Sequence, residues 1–167
     1  MKLILVRHAA AIISNRNRFL TLDGRMFFRK TARTMLKAGL RPGLIATSPL
    51  IRALQTADIL AEILSYTGPL VVLDELERDF DVAVLHELLD DYPDLEELVL
   101  VGHEPDMSGL AKSLLCLAEC FSFEKGTAIH LKIDRNDLKA PATFKWLAAG
   151  SKLITSRKEA FPALHHP

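Results

Sequence analysis

Leu3-Ile4-Leu5-Val6-Arg7-His8, residues 3–8, sets four consecutive apolar residues directly against an arginine and a histidine. A short unbroken apolar run reads as a strand buried on both faces, which is how strands of a parallel sheet look. The same arrangement recurs twice. Leu44-Ile45-Ala46-Thr47 runs into Ser48-Pro49, with Arg52 in the turn that follows, and Leu98-Val99-Leu100-Val101 runs into Gly102-His103-Glu104-Pro105. In open parallel α/β sheets, ligands bind beyond the carboxyl ends of the strands, so residues far apart in sequence converge there. Arg7, His8, Arg52 and His103 are thereby expected around one anion.

Outward from these runs, a further apolar segment covers Leu70 to Leu73, and amphipathic stretches lie between the strands. Apolar residues recur at three and four spacing over Leu22 to Ala38, Pro49 to Leu64 and Met107 to Leu117, and a further helix is expected from Val82 to the Tyr92-Pro93 stop. Thr21 or Asp23 can cap the first helix and Gly39 can close it; Ser48 and Pro49 form a cap and first-position pair for the second. Thr127 to Ile133 alternates, with Thr127, Ile129, Leu131 and Ile133 on one face and His130 and Lys132 on the other, so a strand near an edge is expected, and Thr143 to Ala148 supplies a last strand. Strands alternating with helices predict a three-layer α/β/α sandwich around a mainly parallel sheet, with one antiparallel strand near an edge. At 167 residues, one domain over 1–167 suffices for a substantial core.

Composition narrows the function classes. Twenty-one basic residues balance 21 acidic ones, which argues against a nucleic-acid partner and makes any anion site local. No segment has the length of a membrane span and the apolar run before Arg7 is too short for a signal peptide, so no membrane association and a cytoplasmic location are expected. Cys116 and Cys120, four apart in a helical stretch, read as core thiols, His86 as part of a polar helix face and Trp146 as packing. The terminal His165 and His166 are given no role.

Each residue of the expected site suits phosphate chemistry. Arg7 and Arg52 offer planar, permanently charged donors to phosphoryl oxygens, and the helix starts after Ser48 and Asp106 add partial positive charge. A neutral His8 can attack phosphorus with one ring nitrogen while the other is held, and a protonated His103 would stabilise charge on the phosphoryl oxygens. The scheme calls for no metal and no cofactor.

Four motifs then resemble a known family. Leu5-Val6-Arg7-His8-Ala9 is similar to the Arg-His-Gly signature of the histidine phosphatase superfamily, and Leu20-Thr21-Leu22-Asp23-Gly24 to its Leu-Thr-x-x-Gly helix start. Ser48-Pro49-Leu50-Ile51-Arg52-Ala53-Leu54-Gln55-Thr56-Ala57 is similar to its second arginine motif, and Val101-Gly102-His103-Glu104-Pro105 to its second histidine motif. With Lys125-Gly126-Thr127-Ala128 they span nearly the whole chain in the family's order. The resemblance implies a phosphoglycerate-mutase-like fold, with His8 as nucleophile and Arg7, Arg52 and His103 as the phosphate-binding set. The short length and Arg18-Phe19-Leu20-Thr21 resemble the SixA-like branch, which implies a phosphohistidine-bearing protein as substrate and places Arg18 at the pocket edge.

Two departures stand out. Ala9 occupies the place of the usual glycine, where a positive φ would be strained by the added Cβ. The family's Leu-x-Glu-x-x-x-Gly acid motif is matched at Leu73-Asp74-Glu75, but Asp79 replaces its glycine. Glu75 is therefore either the general acid or part of a solvated acidic loop. An alkoxide leaving group needs such an acid, whereas imidazole, with a conjugate-acid pKa of about 6.5, leaves readily. Three functions are open at this point: a phosphohistidine phosphatase, a small-molecule phosphomonoesterase using Glu75, and a phosphate- or phosphoprotein-binding module without turnover.

Overall fold

The computed structural model describes residues 1–13, 18–118 and 121–161. Its centre is a seven-stranded sheet in the order β3-β2-β4-β1-β5-β6-β7, with β1 at Lys2–Arg7, β2 at Leu44–Thr47, β3 at Leu70–Val72, β4 at Glu97–Gly102, β5 at Thr127–Lys132, β6 at Thr143–Ala149 and β7 at Lys152–Ile154. β3, β2, β4 and β1 pair in parallel; β5, β6 and β7 pair antiparallel. The antiparallel part is thus three strands rather than one. β5 lies between β1 and β6, well inside the sheet, because its His130 face is covered by Trp146 instead of solvent.

The continuous apolar runs are explained by burial on both faces. Leu3, Leu5, Leu98 and Leu100 point to one side, where they meet Leu85 and Leu88 of α3 (Val82–Asp91) and Met107, Leu110 and Leu114 of α4 (Asp106–Leu115). Ile4, Val6, Val99 and Val101 point to the other, against Phe28, Ala32 and Met35 of α1 (Leu22–Lys37) and Ala53, Ala57 and Leu60 of α2 (Ile51–Leu64). A fifth short helix, α5 (Arg157–Ala160), leads to Phe161, which joins the first of these cores. The result is the expected three-layer arrangement. Among the described residues no helix is long and apolar enough to cross a membrane.

Helix ends follow local chemistry. Thr21 caps α1 by accepting the Gly24 N–H at 3.0 Å, and Gly39 closes the turn after it at φ 86°. Gly24 is required by proximity: a Cβ there would stand 2.3 Å from the Ala10 carbonyl oxygen, so only glycine lets α1 press against the chain that follows His8. Asp81 caps α3 through its carboxylate. Cys116 is not the core thiol expected. It is the exposed C-cap of α4, in left-handed conformation at φ 52°, because the helix stops at Leu115; Cys120, His165 and His166 lie outside the described residues. His86 lies on an exposed helix face beside Asp90, and Trp146 is buried.

Candidate active site

Three neighbouring strands deliver the site. β2, β4 and β1 lie side by side, and each ends at the same edge: Thr47 pairs with Val101, and Arg7 pairs with Gly102. Backbone bonds continue the ladder one residue further, from His8 N to Gly102 O at 3.1 Å and from Ser48 N to Val101 O at 3.0 Å. Because adjacent strands are spaced by about 4.8 Å, their terminal side chains must share one small volume. The imidazoles of His8 and His103 accordingly sit 4.9 Å apart, centroid to centroid, each about 7% exposed.

His8 is held at both nitrogens. Nδ1 lies 2.7 Å from the Ala9 carbonyl oxygen, which can only accept, so the ring proton resides on Nδ1. Nε2 is left with a lone pair, toward which Arg52 Nε donates at 3.3 Å. Burial lowers the pKa of His8 to about 4, against the help of its backbone bond and with repulsion from Arg52, Arg7 and Lys125. Near neutral pH His8 is therefore uncharged and oriented, with its Nε2 lone pair unprotonated. Its neighbour Ala9 is fixed in turn, since Ala9 N donates to Thr56 Oγ1 at 3.0 Å and Thr56 Oγ1 donates to the Arg52 carbonyl at 2.7 Å. Ala9 does not have positive φ, so alanine in the place of glycine carries no backbone strain.

His103 Nε2 lies 2.8 Å from Ser48 Oγ. Ser48 Oγ also accepts the Leu50 N–H at 3.2 Å, and with a second lone pair and its own proton it can either accept from or donate to His103 Nε2. Nδ1 is buried with no hydrogen-bond partner among the described residues, as is Arg7 Nε. Burial, then repulsion from His8, Arg52 and Arg7, brings the His103 pKa down to about 3. The free site thus holds His103 neutral. A phosphoryl dianion would counter the arginine charges that help to hold it so.

The arginines are seated differently. Arg7 Nη1 donates to the Phe123 carbonyl, on the segment that precedes β5. Arg52 is partly buried; burial and the charge of Arg18 push its pKa down, and Glu77 lifts it. Arg18 therefore lies near enough to Arg52 to add cationic charge at the site's edge, while its Nε donates to Ile12 O at 3.3 Å. Glu75 lies exposed on a 3-10 turn, Asp74–Leu76, and none of its hydrogen bonds reaches the four central residues. Within that acidic loop the charge felt by Arg52 is that of Glu77.

Several contributors left little trace in the sequence. Ser48 was expected only as a helix cap, yet α2 begins later, at Ile51, and the hydroxyl serves His103. Gln55 reaches across to accept the Leu20 N–H at 2.8 Å, tying α2 to the segment before α1. Phe123 acts through its carbonyl, which no side-chain pattern announces. A cavity of about 1160 Å³ opens at the other end of the sheet, lined by Lys2, Glu97, His130 and Lys132 among others, and includes none of these catalytic candidates.

No protein-family model and no curated protein matches the sequence. Solved structures do match. The protein histidine phosphatase SixA complexed with tungstate superposes with a TM-score of 0.80 at 21% identity, over 90% of this chain and 97% of that one. SixA from Agrobacterium tumefaciens gives 0.71 at 22% identity, over 89% and 97%. A mycobacterial glucosyl-3-phosphoglycerate phosphatase in complex with VO3 gives 0.67 at 17%, over 86% and 96%. The chain has the phosphoglycerate-mutase-like fold that these structures share.

Proposed function

We propose that the protein is a metal-independent histidine phosphatase of the SixA-like branch, acting on phosphohistidine carried by a protein. The observation that carries this reading is His8: neutral, its proton fixed on Nδ1 by the Ala9 carbonyl, and its Nε2 lone pair beside the Arg52 guanidinium. In the first step, with the other nitrogen of the substrate's ring protonated, the Nε2 lone pair forms a bond to phosphorus while the bond from phosphorus to the substrate's ring nitrogen breaks, its electron pair leaving with a neutral imidazole. Arg7, Arg52 and His103 stabilise the charge on the equatorial oxygens. Water then attacks phosphorus, the N–P electron pair returns to His8, and the water's proton leaves with phosphate or to solvent. An imidazole leaving group dispenses with a strong general acid, and the exposed position of Glu75 fits that economy. Arg18 lines the entrance, and the reaction takes place in the cytoplasm.

A second reading, a phosphomonoesterase with Glu75 as acid, draws on the likeness to the glucosyl-3-phosphoglycerate phosphatase. The test is phosphate release from a histidine-phosphorylated phosphotransfer protein by wild type and His8→Ala, with p-nitrophenyl phosphate in parallel. Release by wild type alone, with little ester hydrolysis, supports the proposal. Ester cleavage with the phosphohistidine left intact favours the monoesterase, and phosphate binding without release from either substrate assigns a binding module.

A further inference from the structure

Arg7 is a phosphate-binding candidate whose guanidinium is fixed by a backbone carbonyl from the segment before β5. That carbonyl belongs to Phe123, and the same residue is gripped from its other side: Phe123 N donates to Glu104 Oε1 at 2.8 Å. Glu104 is itself tethered, since Ser108 Oγ donates to Oε2. Ser108 is buried in α4 and also lies 3.0 Å from the Pro105 carbonyl, so its hydroxyl has a second acceptor. Farther along the loop, Gly126 N donates to the carbonyls of Arg7 and His8 at 3.1 Å. The segment between is thus pinned to β4 at one end and to β1 at the other.

From this geometry we propose that Glu104 is a positioning residue that fixes the Arg7 guanidinium through Phe123. The inference rests on the reading of Arg7 as a phosphate ligand. A long arginine side chain loses much rotamer freedom when it is fixed, and catalysis gains only from donors already aimed when the phosphoryl group arrives. Glu104 supplies this by setting where the Phe123 carbonyl stands. A carboxylate directly after His103 ties both histidine-bearing strand ends, β1 and β4, to one loop. Neither the nucleophile nor the reacting atoms touch it.

The assignment predicts non-additivity. Phosphoimidazole turnover and the Kd of inorganic phosphate are measured for wild type, Glu104→Ala, Glu104→Gln, Arg7→Ala and the Glu104→Ala/Arg7→Ala pair, with thermal melts as a check on folding. A donor displaced by about 1 Å costs up to about 100-fold, so Glu104→Ala is expected to lower kcat/KM about 10- to 100-fold. Glu104→Gln, whose amide oxygen still accepts the Phe123 N–H and whose NH2 can donate to Ser108 Oγ, recovers all but about 3-fold, the ordinary cost of a neutral in place of a charged acceptor. The double variant should match Arg7→Ala within about 2-fold, since residues acting through one another do not add. Amide exchange at Phe123 should accelerate in Glu104→Ala and stay slow in Glu104→Gln. If the Glu104→Ala loss multiplies on top of Arg7→Ala, or Glu104→Gln recovers nothing, the positioning role is overturned and the site reading survives. If Arg7→Ala alone changes neither turnover nor phosphate affinity, the site reading itself falls, and this assignment with it.

Discussion

Thr56→Val removes one hydroxyl from a fully buried position and keeps the side chain's shape. That hydroxyl is the acceptor for Ala9 N at 3.0 Å, and Ala9 is itself fully buried, so the variant leaves a buried N–H without a partner. The accompanying loss, the bond to the Arg52 carbonyl, matters less because Arg52 O lies within α2, where backbone N–H groups accompany it. An orphaned buried donor costs about 1–3 kcal/mol. For a chain of this length each kcal/mol lowers the melting temperature by roughly 2–4 °C, so a drop of about 2–12 °C is expected. Activity should suffer beyond stability, because the Ala9 carbonyl orients the His8 ring at 2.7 Å. A fall in kcat of about 10-fold or more at temperatures where the variant is fully folded is expected from misorientation. Calorimetry and steady-state turnover of Thr56→Val and Thr56→Ser check both parts, the serine variant restoring the acceptor. A valine variant melting within about 1 °C of wild type, or a serine variant as impaired as valine, would refute the argument that this hydroxyl sets the nucleophile.

Further outcomes follow from charge and packing. Only neutral His8 can attack, and its pKa lies at about 4, so the acid limb of kcat/KM should fall near pH 4 rather than near 6.5. Lys125→Ala removes one of the charges that hold this pKa down and should move the limb to higher pH. His8, His103 and His130 have folded-state pKa values of about 4, 3 and 4, below the ordinary 6.5 of the unfolded chain. Unfolding therefore takes up protons as pH falls below about 6.5, and stability declines from there toward pH 5; His130→Leu should lower that slope by about one proton, read from urea midpoints at several pH values. Gly24→Ala gains up to about 1 kcal/mol of helix propensity but sets a Cβ 2.3 Å from Ala10 O, a backbone clash that moves either α1 or the chain beside His8. A lower melting temperature together with lower kcat is expected.

The four central residues were legible because Arg7, His8 and His103 stand where an unbroken apolar run stops and Arg52 stands in the helix that follows one, and an apolar run of that length has few structural readings. The first helix was legible through its caps: Thr21 and Gly39 mark boundaries that the backbone obeys. The antiparallel half was harder. β7 is three residues long and largely exposed, so it carries no burial signal. In β5 the polar alternation of His130 and Lys132 suggested solvent, but the Trp146 ring packs edge-on 5.1 Å from His130, and a cross-strand partner is invisible to a periodicity argument. Cys116 fell in a helical pattern that α4 abandons one residue earlier, by adopting a left-handed cap. At the site, what escaped was whatever acts through backbone or through a shared hydroxyl: the Phe123 carbonyl, the Ser48 bond to His103 and the Thr56 relay to Ala9.

The reversal of chain direction at β5 divides responsibility within the sheet. On the parallel side the catalytic edge receives strand ends, whose residues are locked by ladders running through the core and cannot shift without disturbing it. On the antiparallel side the same edge receives a strand beginning, preceded by the connection that starts after α4. Chain added to that connection would extend the rim beside Arg7 and His8 without altering the register of any strand. The protein therefore holds Arg7, His8 and His103 at strand ends that the core fixes, and ties the neighbouring connection to them through hydrogen bonds at Phe123 and Gly126.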